Sequence, residues 1–305
     1  MKIGLIDVDG HNFPNLALMR ISAYHKAQGD EVEWWKGDLF YYDKVYKAKV
    51  FSDTYSKDIE DPFNVGELLK GGTGYFTTTK DGEEVFDKDN HKPLPKEIEK
   101  MQPDYSIYPE YDFAVAMTSR GCPRGCPFCC VAEKDGRRSY KVANVSDFYK
   151  GQKRIEVLDP NITACPDKHE LFEQYIETGA QISFNQGLDA RLLTAEDIEI
   201  LNRMKIKMAH FAWDNPNENL LDQFKMINDL FRIKNYRQKV VYVLTNFNST
   251  MEQNLYRIYT LRDLGFDPYV MIYDKPNAPK EIKRLQRWCN NKFIFKSVDR
   301  FEEYV

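Results

Sequence analysis

Four of the chain's six cysteines fall between residues 122 and 130, in the stretch "SRGCPRGCPFCC", punctuated by Gly121, Pro123, Gly125 and Pro127. Glycine and proline at those places favour a wrapped loop over a helix. In such a loop Cys122, Cys126 and Cys129, spaced C-x-x-x-C-x-x-C, can bring three thiolates to one inorganic centre. Two centres are compatible with that pattern. A zinc knuckle takes four Cys or His ligands, with Cys130 as the fourth. An iron-sulfur cluster held by three cysteines keeps one iron open for a ligand that is not protein. Adjacent Cys129 and Cys130 reach one small ion only under strain, which favours the cluster. Cys165 and Cys289 stand far apart, lack paired spacing and read as buried small hydrophobes.

The rest of the composition sets the surroundings for that loop. At 305 residues with 42% hydrophobic and 14% aromatic side chains, the chain can build one large core or two modest ones. Its formal charge of -4 supplies no overall field toward phosphate backbones, which argues against generic nucleic-acid binding. The opening apolar run is too short for a signal peptide, and no run of ~18 apolar residues suggests a membrane span. The expectation is a soluble cytoplasmic protein with no membrane partner. In that compartment thiols stay reduced, so a tight cysteine group points to metal or catalysis rather than disulfides.

The elements that must position the loop follow from periodicity. "KIGLI", the helical "LALMRISAYHKAQG" and "DEVEWW" predict a strand-helix-strand unit near the N-terminus. From Gly37 to Met101 the pattern weakens, with short strands at "KAKVF" and "LLKGG" and a polar loop or hairpin over "TTTKDGEEVFDKDNHK". After Asp112 the rhythm is regular: "FAVAM", "RIEVLD", "QISFNQ", "MAHFAW", "KVVYVLT" and "PYVMIYD" read as strands, most of them separated by amphipathic helices. Strands alternating with helices predict an α/β fold, a partial (β/α)6 barrel, with a doubly wound sheet as the competing topology. The predicted domains are a small reduced Rossmann-like α/β domain over 1–111, the barrel over 112–291 and a C-terminal tail over 292–305. On such a barrel the cysteine loop, following the first regular strand, opens on the face where active sites are built.

"TSRGCPRGCPFC", with Phe128 before the third cysteine, resembles the signature of the radical S-adenosylmethionine superfamily, especially members with an N-terminal cobalamin-binding-like domain. The resemblance implies a [4Fe-4S] cluster on Cys122, Cys126 and Cys129. It also implies S-adenosylmethionine on the open iron, reductive cleavage to a 5'-deoxyadenosyl radical, and an electron donor such as flavodoxin or ferredoxin. Phe128 belongs to the implied cofactor site. "RIEVLDPNIT" resembles the strand end that contacts the methionine portion, which nominates Asp159 and Asn161, although the usual glycine-rich form is absent. "ISFNQGLDARLLT" resembles the strand end directed toward the ribose and carboxylate, which nominates Gln186, Asp189 and Arg191. An arginine fork suits a carboxylate, and an aspartate or glutamine can accept from ribose hydroxyls. "HFAWDN" adds Asp214 at the next strand end.

Asp9, His11 and Pro14 resemble the D-x-H-x-x-G turn of cobalamin domains, with His11 as the implied cobalt ligand, and "KGGTGY" resembles their later glycine pair. Proline replaces the motif's glycine at residue 14, and roughly 110 residues is small for a full cobalamin domain; both argue against cobalamin. Transfer-RNA methylthiotransferases share the loop style. They carry further N-terminal cysteines and a β-rich RNA-binding domain, whereas no cysteine precedes Cys122 and only "KFIFKSVDRFEEYV" follows Asn291. The substrate stays open. The alternatives are an RNA- or nucleoside-modifying radical enzyme, with basic residues such as Arg137 and Arg138 as its handhold, and a non-catalytic metal-binding module.

Overall fold

A computed structural model describes residues 1–10, 13–80 and 83–304, so the expectation for His11 lies outside the described residues. The chain is α/β and divides into two compact units, Met1–Val115 with Ser146–Lys150, and Ala116–Val145 with Gly151–Val305. No helix among the described residues is long and apolar enough to cross a membrane.

The first unit is built on a parallel sheet of β1 (Lys2–Asp7), β2 (Glu31–Trp34), β3 (Tyr42–Ala48) and β4 (Val65–Gly71), in the order β2-β1-β3-β4. Helix α1 (Leu16–Ala27) is the crossover from β1 to β2, and its first turn is capped by the Asn15 side chain. Strand β1 reads as a continuous apolar run because both its faces are covered. Ile3 and Leu5 join Leu18 and Ile21 of α1, while Ile6 joins Tyr42 and Val45 of β3. The two further strands expected from the sequence join this sheet: β4 overlaps "LLKGG", whereas β3 lies earlier than "KAKVF" and shares only Lys47 and Ala48 with it. The polar stretch after it forms the antiparallel hairpin β5 (Thr77–Lys80) and β6 (Glu83–Phe86), and one helical turn, α2 (Lys96–Glu99), follows. Two lysines of the β3 end are buried. Lys47 pairs at 2.8 Å with Asp58 and with Asp61, and Lys49 pairs with Asp53. Side chains at Gly72 and Gly74 would collide with the carbonyl oxygens of Lys49 and Phe51, so this glycine pair is required by the chain's own backbone packing.

The chain passes from the first unit to the second within β7 (Phe113–Ala116). A six-stranded parallel sheet follows the order β7, β10 (Arg154–Val157), β11 (Gln181–Leu188), β12 (Lys205–Ala212), β13 (Lys239–Thr245), β14 (Asp267–Ile272). The order never reverses, which overturns the doubly wound alternative, whose strands turn back at a switch point. Ahead of β10 lie the short antiparallel pair β8 (Ser119–Arg120) and β9 (Tyr140–Lys141) and the helix α3 (Val131–Asp135). Helices α4 (Lys168–Thr178), α5 (Ala195–Leu201), α6 (Leu221–Leu230), α7 (Met251–Asp263) and α8 (Lys280–Asn290) connect or follow the strands. Phe172 and Tyr175 of α4 meet Phe184 of β11 edge-on, and Phe224 of α6 meets Phe211 of β12. The segment expected as a tail contains the helix α9 (Lys292–Ser297), and its Phe295 and Phe301 both pack on Trp288.

Candidate functional site

The cysteine loop leaves β8 and returns through α3 to β9, so the antiparallel pair closes its base. Gly121 sits at φ +79°, and a side chain there would collide with the Arg138 carbonyl oxygen. Backbone hydrogen bonds from Cys122 to Gly136 (3.1 Å) and from Cys129 to the Cys126 carbonyl (3.0 Å) shape the loop. Cys130 starts α3 and its carbonyl accepts from Glu133 and Lys134, which commits it to the helix. Burial pushes the Cys126 thiol up, with Cys122 and Asp214 adding to the rise and Arg191 and Arg124 opposing it. Burial of the sulfur pushes Cys129 up to about 11 although the residue as a whole is exposed, and the neighbouring thiols contribute. The three thiols, two arginines and an aspartate therefore share one electrostatic neighbourhood.

Polar residues from three strand ends meet that loop. Asp189, after β11, receives Arg124 Nε from within the loop (2.8 Å) on one oxygen and Arg191 Nε (2.6 Å) on the other. Asn161, after β10, donates from one amide nitrogen toward Cys122 Sγ (3.4 Å) and Asp189 (3.3 Å), while its Oδ1 accepts from Thr163 (2.8 Å). Burial pushes Asp189 up, but the two arginine bonds outweigh it and hold the carboxyl below its usual range. Arg191 reaches on to Glu218, after β12, at 2.9 Å. Asp214, beside that strand end, is pushed up to about 6 by burial, with Arg257 and Arg191 pulling the other way. Phe128 contacts Phe247 beyond β13 at 5.4 Å, and Phe247 contacts Tyr273 beyond β14 at 4.9 Å.

Of the residues nominated from sequence, Phe128, Asn161, Asp189, Arg191 and Asp214 fall in this neighbourhood with the cysteines. Asp159 does another job: it is 2% exposed and accepts from Thr118 N (3.0 Å), Thr118 Oγ1 (2.8 Å) and Ser119 N, so it holds the backbone that enters the loop. Gln186 is exposed, on a stretch where β11 takes four steps from Phe184 to Leu188 against two on β12 from Ala209 to Phe211. Such an irregularity re-aims side chains. Sequence reading missed Arg124, Glu218 and Arg257. Arg257 is buried and donates to the carbonyls of Trp213 (2.6 Å), Asp214 (3.0 Å) and Leu244 (3.0 Å), tying together the ends of β12 and β13. A charged residue on the apolar face of the α7 pattern was the available signal. Comparison with protein-family models and with curated proteins finds no match.

Proposed function

We propose that the chain is a radical S-adenosylmethionine enzyme whose second unit is the partial barrel of that class. The observation that carries this reading is the three-cysteine loop joined through Arg124 and Asp189 to Arg191 at the strand ends. The donor set suits a [4Fe-4S] cluster: three soft thiols, two of which, Cys126 and Cys129, are held protonated by burial and neighbouring thiols, a cost that bound iron would offset. Among the described residues no three Cys, His, Asp or Glu side chains are already gathered as a metal site, so the loop would draw in around the centre. Cys122, Cys126 and Cys129 would hold the cluster, which would supply the electron for reductive cleavage of S-adenosylmethionine and so the radical chemistry of hydrogen abstraction from substrate.

The chain's own residues then bind and orient. Arg191 spends Nε on Asp189 and one amino group on Glu218; its other amino group has no partner among the described residues and suits the cofactor's carboxylate. Asp214 suits a ribose hydroxyl or an ammonium, and Phe128 screens the loop from water. A flavodoxin or ferredoxin would deliver the electron.

The test is anaerobic reconstitution with iron and sulfide, reduction, addition of S-adenosylmethionine and quantification of 5'-deoxyadenosine beside iron content and the paramagnetic resonance signal. Replacing Cys122, Cys126 or Cys129 by Ala is expected to abolish visible absorbance and cleavage, and Cys165→Ala to leave both. Tightly bound zinc in protein never exposed to air, or a loaded cluster whose signal S-adenosylmethionine does not perturb, would overturn the reading.

A further inference from the structure

The helix-bearing face of the six-stranded sheet is packed with Ile155, Val157, Ile182, Phe184, Phe211, Val241 and Val243. A different set of side chains interleaves with them along the same strands: Glu156 of β10, Asn185 of β11, His210 of β12, Tyr242 of β13, and Tyr269 and Met271 of β14. A parallel sheet is ordinarily covered with aliphatic residues on both sides. Here Glu156, Asn185, His210 and Tyr242 are only half-buried, and Tyr269 and Met271 are 39% and 43% exposed.

These residues form a connected band. Asn185 Nδ2 donates to Glu156 (2.8 Å), Tyr242 donates from its hydroxyl to the Asn185 carbonyl (3.3 Å), and His210 lies nearly parallel to Tyr242 at 5.2 Å, 12° between planes. Tyr269 meets Tyr242 edge-on at 6.0 Å. His210 Nδ1 lies 2.9 Å from the Phe184 carbonyl, which assigns the proton to Nδ1 and leaves Nε2 as an acceptor with no partner among the described residues. Burial lowers the His210 pKa, which keeps the ring neutral. Arg154 lies 2.9 Å from Glu156, so the carboxylate's charge is matched.

A neutral aromatic cluster beside several acceptors (His210 Nε2, Asn185 Oδ1 and the Glu156 carboxylate) selects a neutral planar ring that carries an amino group. We propose that this band is a recognition site for the amino-bearing base of a nucleoside, packed against the exposed Tyr269 ring with its amino edge directed to the side of the band that carries His210, Asn185 and Glu156. A phenyl ring has no donor for these acceptors, and a phosphate-rich polynucleotide finds no cationic excess in the band. Calling the ligand a substrate rests on the radical-enzyme reading; the binding site does not.

The test is calorimetric titration of the anaerobically reconstituted full chain, unreduced and saturated with S-adenosylmethionine, with adenosine, cytidine, guanosine and uridine in turn. At least one amino-bearing nucleoside is expected to bind saturably and roughly tenfold more tightly than uridine, the scale of a lost hydrogen bond to a charged group. His210→Phe, which keeps the ring, and Glu156→Gln, which keeps the shape, are each expected to weaken it about tenfold while iron content and S-adenosylmethionine binding stay unchanged. Absence of nucleoside binding by protein that does bind S-adenosylmethionine would overturn the proposal, as would equal affinity for uridine, or binding only of an aromatic amino acid or of an oligonucleotide. Nucleoside binding that depends on His210 in protein that never takes up cluster or S-adenosylmethionine would sustain this site and sink the radical reading.

Discussion

Two aspartates in one neighbourhood are pushed in opposite directions, and that difference is measurable. Asp189 has two arginine donors and is held low, whereas Asp214 is buried with arginine charges near it and is pushed up to about 6. A carboxyl raised in the folded state binds its proton more tightly there than in the unfolded chain. Asp214 therefore costs nothing at low pH, and its cost grows as pH rises from about 4 through about 6 and is complete above that. Asp214→Asn is expected to raise stability at pH 7.5, by no more than ~3 kcal/mol, and to leave it unchanged near pH 3. Urea denaturation at the two pH values checks this, and equal effects at both would refute the assignment. Asp189→Asn should act in the other sense, destabilising above about pH 4, because it leaves Arg124 and Arg191 short of an acceptor.

At the scale of elements, the entry to the cysteine loop depends on a carboxylate that touches no cysteine. Asp159 follows β10 and binds the Thr118 and Ser119 backbone just ahead of the loop. Burial pushes its pKa up, and donors from Ser119 and Thr118 work against that rise. Asp159→Ala strands these buried donors and is expected to cost about 2–4 kcal/mol, whereas Gln186→Ala, at an exposed position, should stay within about 0.5 kcal/mol. Comparison of denaturation midpoints at unchanged slope decides it. A large loss from Gln186→Ala would instead point to a packing role for that irregular stretch of β11.

For the whole molecule, each unit has its own sheet and its own core, so each can carry its own unfolding transition. The four tryptophans report on this separately: Trp34 and Trp35 lie in the first unit, and the fully buried Trp213 and Trp288 in the second. Tryptophan fluorescence of a Trp34→Phe, Trp35→Phe double variant is expected to trace a urea transition that does not coincide with far-ultraviolet dichroism of the same protein. Coincident curves would mean that the two units unfold as one.

What the sequence determined by itself were the features written in local pattern. The regular strands and helices after Asp112 follow from apolar periodicity, and the loop character of residues 121–130 follows from glycine and proline. The gathering of Asn161, Asp189 and Arg191 was legible only as a resemblance, and Asp214 as a position after a strand. Tertiary structure decided which polar side chain takes which partner. Asp159 and Asp189 both follow a strand, yet one is consumed by backbone amides and the other by two arginines, because hydrogen-bond partners are chosen by the register and curvature of neighbouring strands. The same holds for Arg124 in the loop, for Lys47 paired with Asp58 and Asp61, and for the half-open band from Glu156 to Tyr269. A periodicity of two tells which strand residues share a face, and only the assembled sheet decides whether that face is covered.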